Sequence, residues 1–426
     1  MVARGVAGAR SGARVRETRP LRPRPLEHRV LVTATLCLLA LGAVMVYSAS
    51  STRNLLAGGG DGTQYLVRYV GLGSFALLAM WLLMRHGVAI ARRITPLLLI
   101  GSFVALVLVL IPGIGTEVNG ARSWLGPGIF SPQPSEFMKL ALILYCAQFL
   151  ARHPRRIQTF KGMMSPVGWV AGAACALVVI QPDTGTTLVM VGIVAAMLVA
   201  AGVPLRFLAA LAAIGLALLL LLVLVQPYQQ DRLTAFLDPW ADKGGSGFQS
   251  VQGQIAFGSG GLFGVGIGQS VQKAFYLPEA HTDFILAVIG EELGLLGVLV
   301  VIALFGMITW AGLRIARAAT DQYAKLLAVG LTSLIACQAI LNIFVVLGLA
   351  PLTGVPLPIV SYGPTNLLVI LAAVGLLLNL SDGTRARLRL VDSPARRDGR
   401  AADRDRRRRD GRPRRPGAGR GRRAAG

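Results

Sequence analysis

Charge is scarce in this chain. Of its 426 residues, 15% are Asp, Glu, Lys or Arg, whereas soluble domains carry roughly a quarter. Set beside a hydrophobic content of 54%, that shortfall excludes an ordinary water-soluble fold. Acid is scarcer still, with 20 Asp and Glu against 43 Lys and Arg and a net charge of +23. Cysteine is rare too. Cys37, Cys146, Cys175 and Cys337 each lie inside an apolar stretch, without metal-ligand spacing. That excludes a disulfide scaffold and a thiolate metal site, and leaves them as small buried hydrophobes. The two-residue alternation of membrane-barrel strands is also missing. The N-terminus lacks the form of a cleavable signal peptide, because its basic stretch is long and the first apolar block is long enough to span a bilayer.

What the chain has instead is long apolar runs. Residues 31–47, 97–111, 207–225 and 284–310 hold almost no charge. About 18 or more such residues cross the roughly 30 Å hydrocarbon layer as a helix, and only helices and closed barrels satisfy their backbone there. The expected fold is therefore an all-α integral membrane protein of about ten transmembrane helices. They fall near 30–49, 66–84, 95–112, 135–151, 165–180, 185–203, 206–226, 284–310, 325–349 and 364–381. The positive-inside rule tests the count. Arg85, His86, Arg92 and Arg93 follow the second span, and Arg152, His153, Arg155, Arg156 and Lys161 the fourth. Arg206 follows the sixth, and Arg314, Arg317 and Lys325 the eighth. All fall on one side with both termini, which are thus expected to be cytoplasmic.

Three units follow: a basic disordered tail at 1–29, a membrane domain at 30–381 and an Arg-rich disordered tail at 382–426. The tails hold most of the excess charge. Such segments cannot bury a core, and beside membrane helices they meet anionic headgroups rather than nucleic acid. Between the seventh and eighth spans lies a large extracytoplasmic loop, 227–283, rich in aromatics, glycines and charge. Loops of that length are functional or disordered. No internal repeat is visible, so an inverted-repeat transporter lacks direct support.

Polar residues worth attention cluster on the extracytoplasmic side. In Gln181-Pro182-Asp183-Thr184-Gly185 a carboxylate stands between two spans; it faces a cavity or caps the next helix. In Gln133-Pro134-Ser135-Glu136 with Lys139, the two charges are three apart on one helix face and can pair, a structural role before a catalytic one. Arg122, beside Trp124, is an interfacial anchor or a phosphate ligand through its planar donor fork. The glycine-rich run 258–268 lacks the βαβ frame of a dinucleotide site, but it permits close backbone approach to a ligand; Lys273 follows it. The densest cluster is Tyr276-Leu277-Pro278-Glu279-Ala280-His281-Thr282-Asp283-Phe284. Asp283, desolvated where the loop enters a span, is either an N-cap or a general base of raised pKa. His281 is a second base or a ligand, without the companions of a zinc site. Glu291 and Glu292, further along the same helix, need partners inside the bundle.

These motifs together resemble the SEDS family of FtsW, RodA and SpoVE. The resemblance rests on Val118 to Trp124, Gln133 to Glu136 with Lys139, Gln181 to Thr186, Phe236-Leu237-Asp238-Pro239 and Gly258 to Gly261. It continues through Gln272 to Gly294 and Pro351 to Pro358 with Ser361-Tyr362-Gly363, covering roughly 30–381. The Leu277 to Phe284 run and Met45-Val46-Tyr47-Ser48-Ala49-Ser50 lean towards the division member, FtsW, over the elongation member, RodA. Two departures stand out. Pro364, Thr365 and Asn366 follow Gly363 where the family often has Gly-Ser-Ser, and Phe275 stands where some division members carry an acid.

The resemblance implies a peptidoglycan glycosyltransferase of the bacterial cytoplasmic membrane. It would polymerise lipid II at the division septum beside a class B penicillin-binding protein and other divisome proteins. The family's essential aspartate maps onto Asp283. Arg122, Lys273, His281 and Ser361 become candidates for substrate and pyrophosphate, and a divalent cation, Mg2+ or Mn2+, is a further candidate for that charge. Gln133, Glu136, Lys139, Gln181, Asp183 and Glu279 are expected to be structural or to line the substrate cavity. The rival readings are a lipid II flippase, a non-catalytic scaffold, or the elongation polymerase.

Overall fold

The apolar runs fold as helices that close their own backbone hydrogen bonds. The computed structural model describes residues 25–56, 63–118, 121–126, 131–273 and 277–391. The tail residues 1–24 and 392–426, Asn119, Gly120, Phe275 and Tyr276 lie outside the described residues. In chain order the helices are α1 (Leu26–Leu56), α2 (Thr63–Leu110), α3 (Pro134–Arg152), α4 (Phe160–Met163), α5 (Trp169–Ile180) and α6 (Thr184–Ala200). Then come α7 (Leu205–Val225), α8 (Pro227–Leu237), α9 (Phe248–Ser259), α10 (Ile285–Ala318), α11 (Gln322–Val346) and α12 (Pro364–Val391). Between α2 and α3 stands one antiparallel hairpin, β1 (Gly115–Val118) and β2 (Ala121–Leu125). Among the described residues, seven helices are long and apolar enough to cross a membrane, and α6 is a shorter apolar helix. The protein is a multi-pass α-helical membrane protein.

The two spans expected at 66–84 and 95–112 fall within one continuous run of helical residues, α2, of 48 residues. Its contacts show that it reverses. Gly73, Met80 and Met84 meet Leu367, Gly375 and Asn379 in turn, so the first half runs parallel to α12. In the second half Gln148 bonds Arg92 O and Thr95 Oγ1, while Leu106 packs with Met138, so that half runs antiparallel to α3. Yet α3 and α12 start together, with Gln133 N donating to Thr365 Oγ1. The basic residues 85–93 lie at that reversal, in helical rather than loop conformation.

The motif-bearing segments gather at one end of the bundle. Ser123 Oγ donates to Gln181 O, Arg232 Nη1 to Leu352 O at 3.2 Å, and Tyr362 N to His281 O at 3.0 Å. The opposite end holds the Arg92–Asp321 pair at 2.7 Å, the Arg314–Glu27 pair at 2.9 Å and the contact of His28 with Ser381. The long loop is itself folded, since it contains α8 and α9.

The glycine-rich stretch corrects its sequence reading. Helix α10 is broken at Gly294, where φ is 67° and ψ is −167°, a region closed to side-chain-bearing residues. A break leaves backbone groups open, which is costly at membrane depth. The stretch repairs it. Val265 N donates to Glu291 O at 2.9 Å and Gly266 N to Glu292 O at 3.1 Å, while Leu295 N donates to Gly261 O at 3.0 Å. A Cβ on Gly260 would collide with Gly290 O, and one on Gly264 with Glu292 O. The glycines allow close approach to α10, and so are committed to the scaffold.

Candidate active site

Asp283 is placed by a tight turn. Glu279 adopts φ +54°, and its carbonyl accepts from Thr282 N and Phe284 N. Its side chain accepts from Thr282 Oγ1 at 2.7 Å. Phe284 is buried against Gly253 of α9, where no Cβ would fit. The Asp283 carbonyl accepts from Asn342 Nδ2 at 2.8 Å, and the same amide donates to Val355 O at 2.8 Å. One asparagine of α11 thus joins the start of α10 to the loop before α12.

The backbone is fixed and the carboxylate is not. Among the described residues no side chain bonds it, and it stays half-buried beside Gly354, where an added Cβ would stand 3.5 Å from Asp283 Oδ2. Burial pushes its pKa up to about 7; the charges of Glu279 and Asp183 add to the rise, and Arg232 opposes it. A partly buried carboxyl that titrates near neutral pH is suited to accept a proton. The N-cap alternative fails for Asp283, because Phe284 holds the cap position and makes no side-chain cap bond. Arg232 and Asp283 meet the same loop, one at Leu352 and the other at Gly354.

Asp183 is the true cap. It accepts from Thr186 N at 2.9 Å and from Gln133 Nε2 at 3.2 Å. Burial raises its pKa, against the hydrogen bonds of Thr186 and the charge of Lys139. Next to it lies a closed ion pair, Lys139 Nζ to Glu136 Oε1 at 2.8 Å, with Lys139 fully buried. The departure from the family pattern joins this pair, since Asn366 Nδ2 donates to Glu136 Oε2 at 3.0 Å. Gln181 Nε2 donates to Leu106 O, and Ser361 Oγ accepts from Leu357 N, so both hold backbone.

Lys273 is not gathered with Asp283. It is 2% exposed, and its ammonium meets Glu292 at 2.8 Å and Ser48 Oγ at 3.0 Å. Glu291 accepts from Ser270 Oγ and Val271 N. Arg122 stands on the hairpin, 3.4 Å from Glu117 and partly exposed. His281 lies in an aromatic cluster, its ring 5.0 Å from Tyr65 and 5.9 Å from Tyr362. Sequence reasoning missed Arg232, Asn342 and Ser48. Asn342, an amide inside an apolar span, is the one that such reasoning could have flagged.

Residues 29–386 match the family model of the cell cycle proteins FtsW, RodA and SpoVE. The chain belongs to this family. It is 45% identical over 356 residues to stage V sporulation protein E of Bacillus subtilis (strain 168), covering 84% of this chain and 97% of that protein. It is 42% identical over 359 residues to the probable peptidoglycan glycosyltransferase FtsW of Trichlorobacter lovleyi, covering 84% and 93%. Among solved structures, a chain from a study of how a peptidoglycan synthase complex coordinates polymerization and crosslinking superposes with a TM-score of 0.69 at 29% identity, covering 83% and 97%. RodA of Thermus thermophilus follows with 0.61 at 27%, covering 83% and 95%. In this family member the SEDS fold places Asp283 at the end of the bundle where the motif-bearing segments meet.

Proposed function

We propose that this protein is a peptidoglycan glycosyltransferase that polymerises lipid II on the outer face of the cytoplasmic membrane. The observation that carries the reading is Asp283, a half-buried carboxylate without a bonded partner among the described residues and with a pKa near neutral, at one face of a membrane bundle. Names given to relatives in the family point the same way.

The donor glycan is attached through an α-linked pyrophosphate to a polyprenyl lipid. The acceptor is the 4-hydroxyl of N-acetylglucosamine in the next lipid II. Asp283 takes the hydroxyl proton as the acceptor oxygen bonds to the donor anomeric carbon. The bond from that carbon to the phosphate oxygen breaks, and its electron pair leaves with the polyprenyl pyrophosphate. One in-line displacement gives the β linkage, so no second carboxylate is needed as nucleophile. The leaving pyrophosphate needs positive charge. Arg232 is the cation that shares the Asp283 loop, and Arg122 lies on the same end. We assign the role to them rather than to Lys273, whose charge is neutralised in the interior. Among the described residues no three His, Cys, Asp or Glu side chains converge to hold a metal ion; a divalent cation, Mg2+ or Mn2+, would be held mainly by the substrate pyrophosphate and would add to the same positive charge.

By this reading the partner is a class B penicillin-binding protein, and the site of action is the division septum with other divisome proteins. The test is lipid II polymerisation by purified protein, with and without that partner carrying an inactivated transpeptidase. Glycan product from wild type, lost in Asp283→Asn at equal protein, supports the reading. No product from folded wild type beside an active control enzyme would overturn it in favour of a flippase or scaffold.

A further inference from the structure

At the end of the bundle opposite Asp283, the last turns of α10 and the first turn of α1 enclose a surface cavity of about 420 Å³. Its lining is Glu27, Trp310, Leu313, Arg314, Arg317 and Ala318. Trp310, Leu313 and Ala318 supply the apolar part of the lining, and two guanidiniums supply the cationic part. Arg314 is held in place, with its Nε 2.9 Å from Glu27 Oε1 and its guanidinium 5.0 Å over the Trp310 ring. Arg317 is exposed and, among the described residues, has no ion pair or hydrogen bond. Two arginines against one glutamate leave one uncompensated positive charge.

Depth fixes what this charge meets. Beyond the break at Gly294 the rest of α10 runs about 36 Å at 1.5 Å per residue, longer than the roughly 30 Å hydrocarbon layer. Its last turns therefore stand among headgroups. An indole beside aliphatic side chains suits the glycerol level of a lipid, and a guanidinium fork suits its phosphate. Cavities of roughly 300–1,000 Å³ hold small ligands.

We propose that this cavity binds the headgroup of an anionic phospholipid. The phosphodiester lies on Arg317 and Arg314, and the glycerol backbone on Trp310 and Leu313. A monoanion balances the lining. A zwitterionic lipid leaves it charged, and free phosphate gains nothing from the apolar side chains.

The test is native mass spectrometry of the detergent-purified full-length protein, titrated with phosphatidylglycerol or phosphatidylcholine. Wild type is expected to retain one phosphatidylglycerol that inorganic phosphate does not displace, and to retain no phosphatidylcholine. Arg317→Gln should weaken retention roughly fivefold, with an unchanged thermal midpoint in detergent. Arg155→Gln, an exposed arginine at the same end but outside the cavity, should leave retention intact. Equal weakening by Arg155→Gln would reduce the effect to general surface charge and overturn the site. Equal retention of phosphatidylcholine, or displacement by phosphate, would overturn the ligand.

Discussion

Lys273 and Asp283 stand at the same end of the bundle, one just before the turn and the other at its close, and they meet opposite environments. Lys273 is sealed between Glu292 and Ser48, where it ties the loop to α10 and α1. Asp283 has its backbone held by Asn342, while its carboxylate is left unpaired beside Gly354. A buried charge with every partner present belongs to the scaffold, and removing one partner strands the other. A desolvated charge without a partner keeps a proton affinity near neutral pH, which suits it for chemistry. Charge alone does not mark a catalytic residue; what it lacks does.

The widest separation is expected between Asp283→Asn and Lys273→Met. Asp283→Asn should cut polymerisation by roughly 10²–10⁴-fold and leave the fold intact. It should also stabilise the protein at alkaline pH. The unfolded carboxyl titrates near 3.9, whereas the folded one titrates at about 7. Between those values the folded form holds a proton that the unfolded form releases, so the group's contribution to stability falls as pH rises through that window. Thermal melts should therefore show Asp283→Asn above wild type at pH 8 and level with it near pH 4. Lys273→Met should instead lower stability by about 3–5 kcal/mol, because Glu292 is left unpaired. Adding Glu292→Gln should restore part of it. A Lys273→Met protein as stable as wild type yet inactive would erase the contrast.

Much of this was legible along the chain, for local reasons. The spans follow from hydropathy, the Glu136–Lys139 pair from a three-residue helical spacing, and Asp283 from a polar cluster against an apolar helix. What was illegible depends on distance in sequence. Ser48 meets Lys273 across 225 positions, and no local pattern announces it. The break at Gly294 is mended by Gly261 and Val265, so a run that reads as ligand-binding is spent on backbone. Arg232 reaches Leu352 from α8, inside a segment that reads as loop. The reversal within α2 was expected from its two apolar runs, but its helical connection was not: Arg85, His86, Arg92 and Arg93 read as a loop because they mark a membrane face, and helices tolerate them.

The two surface arginines sharpen the contrast further. Arg232→Gln should slow polymerisation by roughly 10²-fold, as expected for removal of one charge that stabilises a leaving group. It should also raise the Asp283 pKa, because Arg232 lowers it. Arg122→Gln should cost less, since Arg122 is already paired with Glu117 on the hairpin. Initial rates with saturating lipid II would rank them, and a larger loss at Arg122 would move the pyrophosphate towards the hairpin.

The smallest effect is the most direct probe of why Asp283 is poised. After burial, the charge of Glu279 is the leading cause of its raised pKa. Glu279→Gln removes that charge and keeps an oxygen to accept from Thr282 Oγ1. The base should then lose its proton at lower pH. The acidic limb of the rate profile should move down, with more activity than wild type at pH 6 and little change at pH 8. Arg232→Gln should move the same limb the other way. Opposite shifts from two residues flanking one carboxylate would identify the titrating group as Asp283. If neither substitution moved the limb, another group would set the pH dependence, and Asp283 would have to act without exchanging a proton.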